Sequence, residues 1–324
     1  MVGRGPGPGS AGMGAGVGAG TAFGAGLQAA YAACAKAAFG HYENFPVASV
    51  LLPPAMRPHV AAVYAFARAA DDFADEGALS TASRLHLLDG WLQRLHEAVD
   101  SGIEGPSARD GEPDHAPAVF LALGDTIRRH RLPVALFEDL LSAFRQDVTV
   151  VRYGSWADLL DYCRRSANPV GRLVLRIAGH QDARMDSWSD AICTALQLTN
   201  FWQDIKVDFD RGRVYMPLDE LRAHGAGVSE LAGGRATPAW QRALAAAVTR
   251  TRALFASGRP LCDAVAGRLR YELRATWLGG TRVLDRAARA EGALIARPHL
   301  GVSDAPWFAW HMATWALRTD RVPR

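Results

Sequence analysis

Two acidic segments, far apart in the chain, have the spacing of one helix face. The first contains Asp71 and Asp75, and the second contains Asn200, Asp204 and Asp208. Because a helix turns by about 100° per residue, a step of four residues returns close to the same face. Carboxylates stacked in this way repel each other unless a cation neutralises them. Oxygen ligands of this kind suit Mg²⁺, which typically bridges a protein carboxylate and a substrate phosphate.

The segment that carries the first pair of acids places two more polar groups on the same stripe. Helical spacing puts Tyr64 and Arg68 on the face of Asp71 and Asp75. Arg68 could orient Asp71 or bind a phosphate through its guanidinium fork. A solvent-exposed, salt-bridged face would have the same residue types. The surrounding residues are rich in Ala and otherwise nearly uncharged, which favours an interior helix.

Cationic and hydroxyl side chains follow directly after the second acidic segment. Gly212 and Pro217 are predicted to end that helix, and Arg213 and Tyr215 lie between them. Such donors beside a metal-binding ladder are what a diphosphate needs. Lys206 is a weaker candidate because it points off the ladder face. The two acidic segments together therefore predict Mg²⁺–diphosphate chemistry.

A third segment, residues 161–172, interrupts a helical pattern. Pro169 removes one backbone donor and crowds the preceding turn, so a helix must kink or break there. Gly171 and the small residues around it would let the backbone line a cavity closely. A simple turn between two helices explains this segment equally well.

The elements that must position these residues are helical almost throughout. Apolar residues recur with helical spacing, Ala and Leu dominate, and β-branched runs are short. We predict one all-α domain over residues 27–324, with helices at roughly 27–39, 55–76, 81–101, 117–131, 133–149, 156–178, 187–209, 237–257, 261–292 and 305–318.

Residues 1–26 form a Gly/Ala tract for which we predict a disordered tail. Ordering so many glycines would cost backbone entropy and bury little apolar surface. The tract contains one G-x-G-x-x-G pattern, at Gly7, Gly9 and Gly12. A nucleotide-binding loop needs a preceding strand, and none is predicted here.

Composition excludes some classes of function. The net charge of +3 and the absence of a long basic run do not suggest nucleic-acid binding. The four cysteines form no C-x-x-C pair, so we predict small buried side chains in a reducing cytoplasm. No apolar run reaches the roughly 18 residues of a membrane span. Trp307, Phe308, Trp310 and Trp315 are predicted to form core or a cavity wall, with a membrane-facing patch as the alternative.

These motifs, in this order, resemble the squalene and phytoene synthase family of head-to-head isoprenyl diphosphate synthases. The resemblance covers about residues 30 to 315, and its pieces are Tyr-Ala-Phe-Ala-Arg at 64–68, the acidic segment 71–76, the 200/204/208 ladder, Arg-Val-Tyr-Met-Pro at 213–217, the Gly pair at 279–280 and Arg-Pro-His-Leu at 297–300. It implies the single-domain, all-α isoprenoid synthase fold, with a central cavity and a cluster of Mg²⁺ ions between two acidic helices.

Within the family, segments 41–49 and 166–171 look like the bacterial hydroxysqualene synthases of hopanoid biosynthesis. Most relatives carry a small-residue Ala-Gly-Ser/Thr-Val-Gly type of stretch at the second segment. The resemblance implies that presqualene diphosphate is ionised and the cation captured by water, without a nicotinamide site. A presqualene diphosphate, squalene or phytoene synthase, which condenses two prenyl diphosphates such as farnesyl diphosphate, is the alternative. A non-catalytic scaffold is less expected, because both acidic ladders are intact.

The resemblance also implies roles for individual residues. Tyr64 could stabilise a carbocation through its aromatic face, and Asn168 or Tyr162 could hold the water. The implied metal ligands are Asp71, Asp75, Asn200, Asp204 and Asp208, and the implied diphosphate-binding residues are His41, Arg68, Lys206, Arg213 and Tyr215. We expect a cytoplasmic protein that works with other hopanoid-pathway enzymes, and peripheral contact with the membrane remains open.

Overall fold

The computed structural model describes residues 17–39, 51–75, 79–100, 108–233, 237–289 and 297–317. Within these ranges the regular structure is helical, and the only β pairing is an isolated bridge between Arg152 and Val214. The α-helices are α1 (Val17–Phe39), α2 (Arg57–Asp75), α3 (Thr81–Asp100), α4 (Ala116–His130), α5 (Val134–Asp147), α6 (Trp156–Ser166), α7 (Asn168–Ile177), α8 (Ala183–Gln203), α9 (Ile205–Asp210), α10 (Leu218–Ala223), α11 (Pro238–Gly258), α12 (Leu261–Ala264), α13 (Gly267–Arg289) and α14 (Ala305–Ala313). The predicted all-α class is confirmed.

Several helix boundaries differ from the sequence predictions. Helix α1 begins at Val17, so residues 17–26 of the predicted disordered tail are helical. The Ala residues between the glycines favour the helix there and offset the entropy that the glycines lose. Residues 1–16 lie outside the described residues, and disorder there stays a prediction. The helices predicted at 156–178, 187–209 and 261–292 are each divided into two.

Aromatic packing fixes the rotation of α2, which carries the first acidic pair. The ring of Phe66 packs against Trp91 of α3, Phe120 of α4 and Phe137 of α5, with centroid distances of 5.9, 6.0 and 5.5 Å. The indole N–H of Trp91 also donates to the backbone carbonyl of Phe66 at 3.2 Å. Because this face of α2 is buried in the core, the polar residues on the opposite side of the helix point away from the core.

Close helix contacts hold α8, which carries the second acidic segment. Helix α8 packs against α7, α11 and α13. The indole N–H of Trp202 donates to the hydroxyl of Thr251 on α11 at 2.9 Å. A Cβ on Gly258 would lie 2.7 Å from the carbonyl oxygen of Trp188 and 3.0 Å from the backbone nitrogen of Ile192, both on α8. The absence of a side chain at Gly258 therefore sets the distance between α11 and α8.

We expect the substitution Gly258→Ala to destabilise the protein by about 1–3 kcal/mol, because the methyl group would press on backbone atoms that cannot rotate away. The matched control is Gly90→Ala in the middle of α3, where an added Cβ meets nothing within 4 Å. That control should instead stabilise the protein by about 0.5–1 kcal/mol, through the lower entropy of its unfolded chain. Thermal unfolding of both variants measures the contrast, and equal shifts would contradict the assigned contact.

The cysteines and the C-terminal aromatic residues have conventional environments. All four cysteines are free and buried, as predicted. Trp315 is buried, and the guanidinium groups of Arg259 and Arg274 lie over its ring. Trp310, in contrast, is 67% exposed, so only part of the aromatic group belongs to the core.

Among the described helices, none is both long enough and apolar enough to cross a bilayer.

Candidate active site

The polar stripe of α2 ends in a group of interacting carboxylates. The guanidinium group of Arg68 donates to Asp71 at 3.1 Å and pairs with Asp72 at 2.5 Å. Burial and, second, the neighbouring charge of Asp75 together raise the pKa of Asp71 to about 6. The predicted orientation of Asp71 by Arg68 is therefore present, with Asp72 as a second partner.

The second acidic ladder crosses a break in its helix without losing its register. Asp204 leaves the helical conformation, with φ −107° and ψ 15°, and separates α8 from α9. The backbone N–H of Asp204 still donates to Asn200 O at 2.9 Å, and that of Asp208 to Asp204 O at 2.8 Å. Because these bonds keep the four-residue repeat, Asn200, Asp204 and Asp208 still follow one face.

Arg213 joins the two acidic segments. Its Nη2 atom lies 2.6 Å from Asp75 Oδ1 and donates to the backbone carbonyl of Asp147 at 3.3 Å. Burial raises the pKa of Asp208 to about 7, and the charges of Asp204 and Asp75 contribute to this shift. Asp75 and Asp208 are therefore near enough to repel each other, although 133 positions of sequence, from 75 to 208, separate them. The structure brings the two predicted clusters into one site.

Asp147, the last residue of α5, is a member of this site that the sequence analysis missed. Its Oδ2 atom accepts a hydrogen bond from the Tyr162 hydroxyl at 2.9 Å. Its Oδ1 atom is buried and has no hydrogen-bond partner in the described part of the chain. Burial raises the pKa of Asp147 to about 7, and the charges of Asp75 and Asp71 add to the effect. No spaced carboxylate accompanies Asp147 in the sequence, so periodicity gave no signal for it.

Aromatic rings form one side of the same site. The ring of Tyr215 stacks on Phe201 with a centroid distance of 3.8 Å and an interplanar angle of 6°. Tyr162 packs against both rings, with centroid distances of 6.2 Å to Phe201 and 6.3 Å to Tyr215. Burial and the charge of Asp147 raise the pKa of both tyrosines. They therefore stay neutral phenols, whose ring faces attract positive charge.

Other predicted site residues have different surroundings. Lys206 pairs with the exposed Asp210, so the weakest of the diphosphate candidates is directed away from the ladder. The residue that contacts the ladder is Arg297, whose guanidinium group donates hydrogen bonds to both carboxylate oxygens of Asp204, at 2.7 and 3.1 Å. Sequence analysis noted Arg297 only as part of a motif. Tyr64 is half-buried on α2. His41 lies outside the described residues.

The predicted interruption near Pro169 is confirmed as a break between α6 and α7 at Ala167. Asn168 begins α7 and is buried, and its Oδ1 atom accepts a hydrogen bond from the Thr194 hydroxyl at 2.9 Å. This bond ties α7 to α8. A role for Asn168 in holding water stays a prediction.

The donor set fits a hard divalent cation, although its side chains do not converge on one point. Among the described residues, no group of three or more His, Cys, Asp or Glu side chains is arranged closely enough to hold a metal. In this structure the carboxylate of Asp75 pairs with Arg213, and the carboxylate of Asp204 pairs with Arg297. Burial first, and the neighbouring carboxylates second, raise the pKa of Asp71, Asp147 and Asp208, and Oδ1 of Asp147 has no hydrogen-bond partner among the described residues. Oxygen ligands with such charge suit Mg²⁺.

An apolar cavity lies beside α7 and α8. It is lined by Leu52, Val60, Gly171, Val174, Leu175, Ser189, Ile192, Cys193, Leu196, Leu261, Leu269, Glu272, Leu273 and Thr276. A Cβ on Gly171 would collide with Ser189 and Cys193. The predicted close approach of backbone near Gly171 is therefore present. An apolar lining of this kind suits contact with part of a hydrocarbon chain.

Comparison with known proteins identifies the family to which this site belongs. The sequence model of squalene/phytoene synthases matches residues 39–304. The chain belongs to the squalene/phytoene synthase family. It is 40% identical to the hydroxysqualene synthase of Zymomonas mobilis over 222 residues, which cover 67% of this chain and 69% of that protein. It is 35% identical to the hydroxysqualene synthase of Rhodopseudomonas palustris over 260 residues, covering 80% and 83%.

A solved structure supports the same assignment. The crystal structure of squalene synthase HpnC from Alicyclobacillus acidocaldarius superposes with a TM-score of 0.73 at 39% sequence identity, and the match covers 83% of this chain and 97% of that one. The all-α squalene/phytoene synthase fold implied by the sequence motifs is therefore confirmed.

Proposed function

We propose that this member of the squalene/phytoene synthase family ionises presqualene diphosphate in a Mg²⁺-dependent reaction and captures the cation with water, giving hydroxysqualene and diphosphate. The protein is an enzyme that acts on prenyl diphosphates. The observation that carries the proposal is the meeting of two carboxylate ladders at Arg213, next to electron-rich rings. The hydroxysqualene synthases among its relatives favour this reaction within the family.

The proposed binding of diphosphate uses both ladders and their arginines. Mg²⁺ bound by Asp71, Asp75, Asn200, Asp204 and Asp208 would supply positive charge that stabilises the leaving group. Arg213 and Arg297 already lie against these ladders, and each can turn its guanidinium group toward phosphate oxygens. Arg68 and Tyr215 remain candidates for the same role, whereas Lys206 is the weakest.

The carbocation left by ionisation needs electron-rich, dry surroundings. The neutral rings of Tyr162, Tyr215 and Phe201 offer such faces within the site. The apolar cavity beside α7 and α8 can hold a hydrocarbon chain away from bulk water. Because bulk water is kept from the hydrocarbon chain of the substrate, the carbocation is captured by a single bound water molecule. One capture site gives a uniform product.

The substrate distinguishes the proposed reaction from its main alternative. With Mg²⁺ and no NADPH, we expect presqualene diphosphate to give hydroxysqualene and farnesyl diphosphate to remain unconsumed. Chelation by EDTA should abolish turnover, and added Mg²⁺ should restore it. Product analysis by mass spectrometry measures these outcomes. Consumption of farnesyl diphosphate alone would instead identify a condensing presqualene diphosphate, squalene or phytoene synthase, and no turnover of either substrate would identify a scaffold.

We also propose a cytoplasmic enzyme that contacts the membrane peripherally and exchanges substrate with other hopanoid-pathway enzymes. Three large apolar side chains in and beside α14 are exposed, Val302 by 93%, Trp310 by 67% and Leu317 by 81%. The following seven residues carry three arginines and one aspartate, which favours an anionic lipid surface. We expect Trp310→Ser to reduce co-sedimentation with anionic vesicles, and Leu160→Ser, at an exposed site on α6, to leave it unchanged. Equal binding by both variants would contradict this contact.

A further inference from the structure

The hydroxyl group of Ser166 is buried without a hydrogen-bond partner. Its Oγ atom finds neither a donor nor an acceptor among the residues that the structure describes. Buried polar groups are nearly always paired, with protein or with ordered water. Two other buried hydroxyls follow the rule, since Thr194 donates to Asn168 and Thr199 donates to the carbonyl of Ala195. Ser166 is therefore a place where a water molecule is expected.

The backbone next to Ser166 offers two further acceptors. Pro169 has no N–H, so the carbonyl of Arg165 lacks the donor that a continuous helix would supply. The N–H of Val170, which would serve the carbonyl of Ser166, donates instead to Ala167 O at 3.1 Å. Carbonyls released at a helix break are usual binding points for water. One hydroxyl and two carbonyls thus gather at the α6–α7 break.

The position of Ser166 relates it to the chemistry of the site. Ser166 follows Tyr162 by four residues within α6, so both lie on one face and about 6 Å apart along the helix axis. Tyr162 contacts the carboxylate of Asp147 and the ring of Tyr215. On the other side of the break, Gly171 of α7 lines the apolar cavity. Ser166 therefore lies along the chain between the charged end of the site and its hydrocarbon end.

We propose that the Ser166 hydroxyl and the released carbonyls of Arg165 and Ser166 bind the water molecule that captures the carbocation. This assignment rests on the proposed function. The two carbonyls can accept hydrogen bonds from the two hydrogen atoms of the water, and the Ser166 hydroxyl can donate to one of its lone pairs. A water held in this way presents its second lone pair to the cation.

The capture step balances without any further reactant. Ionisation breaks the carbon–oxygen bond of presqualene diphosphate, and both bonding electrons leave with the diphosphate. The cyclopropylcarbinyl cation opens to an allylic cation. A lone pair of the bound water forms the new carbon–oxygen bond, and the proton of the resulting oxonium passes to the released diphosphate. The Ser166 site only binds and orients the water.

The test separates ionisation from capture. Wild-type enzyme is supplied with presqualene diphosphate and Mg²⁺, and diphosphate release is measured beside the ratio of alcohol to hydrocarbon products. We expect Ser166→Ala to release diphosphate at nearly the wild-type rate but to lower that ratio about fivefold, the factor that one neutral hydrogen bond is worth. Ser166→Cys, which is close in size and bonds weakly, should shift the ratio in the same direction. Ser166→Thr, which keeps the hydroxyl, should restore it.

A neighbouring serine provides the control. Ser142 of α5 donates to the carbonyl of Asp139 at 2.7 Å and accepts from Arg165 at 3.1 Å, so its hydroxyl has partners in both roles. Ser142→Ala removes a side-chain contact of Arg165, the residue directly before Ser166, and should leave the product ratio unchanged. If wild-type enzyme forms the alcohol but Ser166→Ala and Ser166→Cys keep its ratio, the Ser166 assignment alone is overturned. If wild-type enzyme forms no alcohol from presqualene diphosphate, the proposed function fails with it.

Discussion

Replacing Asp75 with Asn is expected to lower kcat/KM for presqualene diphosphate by about 10³-fold or more, which corresponds to about 4 kcal/mol of transition-state stabilisation. Asp75 is the residue through which the first ladder reaches the second. It pairs with Arg213 at 2.6 Å, and its charge contributes to the raised pKa of Asp208. The neutral amide keeps the size of the side chain but removes a negative charge that Mg²⁺ needs. Steady-state kinetics across a range of Mg²⁺ concentrations measures the loss.

A second carboxylate–arginine pair controls for the structural effect of this change. Asp285 pairs with Arg252 at 2.8 Å and is 38% exposed, compared with 32% for Asp75. Asp285→Asn thus removes the same kind of ion pair from a part of the fold without ladder carboxylates. Exposed pairs of this kind contribute about 0–1 kcal/mol, so both variants should remain folded. A comparable loss of activity in Asp285→Asn would show that Asp75 acts through stability.

The substitution Asp147→Asn is expected to reduce activity by about 10²-fold or more and, at the same time, to stabilise the protein in EDTA at pH 8. The activity loss follows from removing a charge that faces the ladders and Arg213. The stability gain follows from the raised pKa of about 7, against about 3.9 in an unfolded chain. Discounted for solvent screening, it should amount to about 1–2 kcal/mol, measured by thermal unfolding.

The sign of the stability effect depends on pH. Between about pH 4 and pH 7 the folded state holds the proton of Asp147 that the unfolded state has released, so stability falls as pH rises through this window. The amide cannot ionise and does not incur this loss. The variant and the wild type should therefore have equal stability near pH 4 and should differ most above pH 7. Saturating Mg²⁺ should reduce the difference, because the cation favours the ionised carboxylate.

A buried aspartate of opposite character provides the contrast. Asp186 accepts two hydrogen bonds from Arg176, at 2.8 and 2.6 Å, and both side chains are largely buried. Asp186→Asn leaves that guanidinium group without its charge partner and should destabilise the protein by about 1–3 kcal/mol. Stabilisation by Asp147→Asn and destabilisation by Asp186→Asn together would show that the effect arises from local charge. Destabilisation by both would contradict the proposed cost of ionising the buried carboxyl group of Asp147.

Features with a repeat in the sequence could be predicted from it. Helical spacing correctly placed Asp71 and Asp75 on the polar side of α2, opposite the buried ring of Phe66. It also placed Asn200, Asp204 and Asp208 on one face, because the hydrogen bonds cross the break at Asp204. The break between α6 and α7 before Pro169 could be predicted because proline has no backbone N–H. Each of these depends on neighbours within a few residues.

Features that depend on long-range contacts could not be predicted in this way. Asp147 belongs to the site only because the C-terminal end of α5 lies beside Arg213, which also pairs with Asp75. Arg297 reaches Asp204 across 93 positions of sequence. The bond between Asn168 and Thr194 likewise arises from the packing of α7 on α8. Sequence periodicity describes one helix at a time, whereas these contacts depend on how helices meet.

The fork between Arg297 and Asp204 has a consequence for the order of binding. Arg297 uses both carboxylate oxygens of Asp204, so a metal ion that seeks the same oxygens must displace a guanidinium group. A diphosphate offers that displaced cation a new anionic partner, and it brings its own coordinating oxygens to the metal. If the proposed function holds, we therefore expect metal and substrate to bind cooperatively, each raising the affinity of the site for the other by the same factor. We expect Mg²⁺ alone to bind this site weakly and the diphosphate to strengthen its binding.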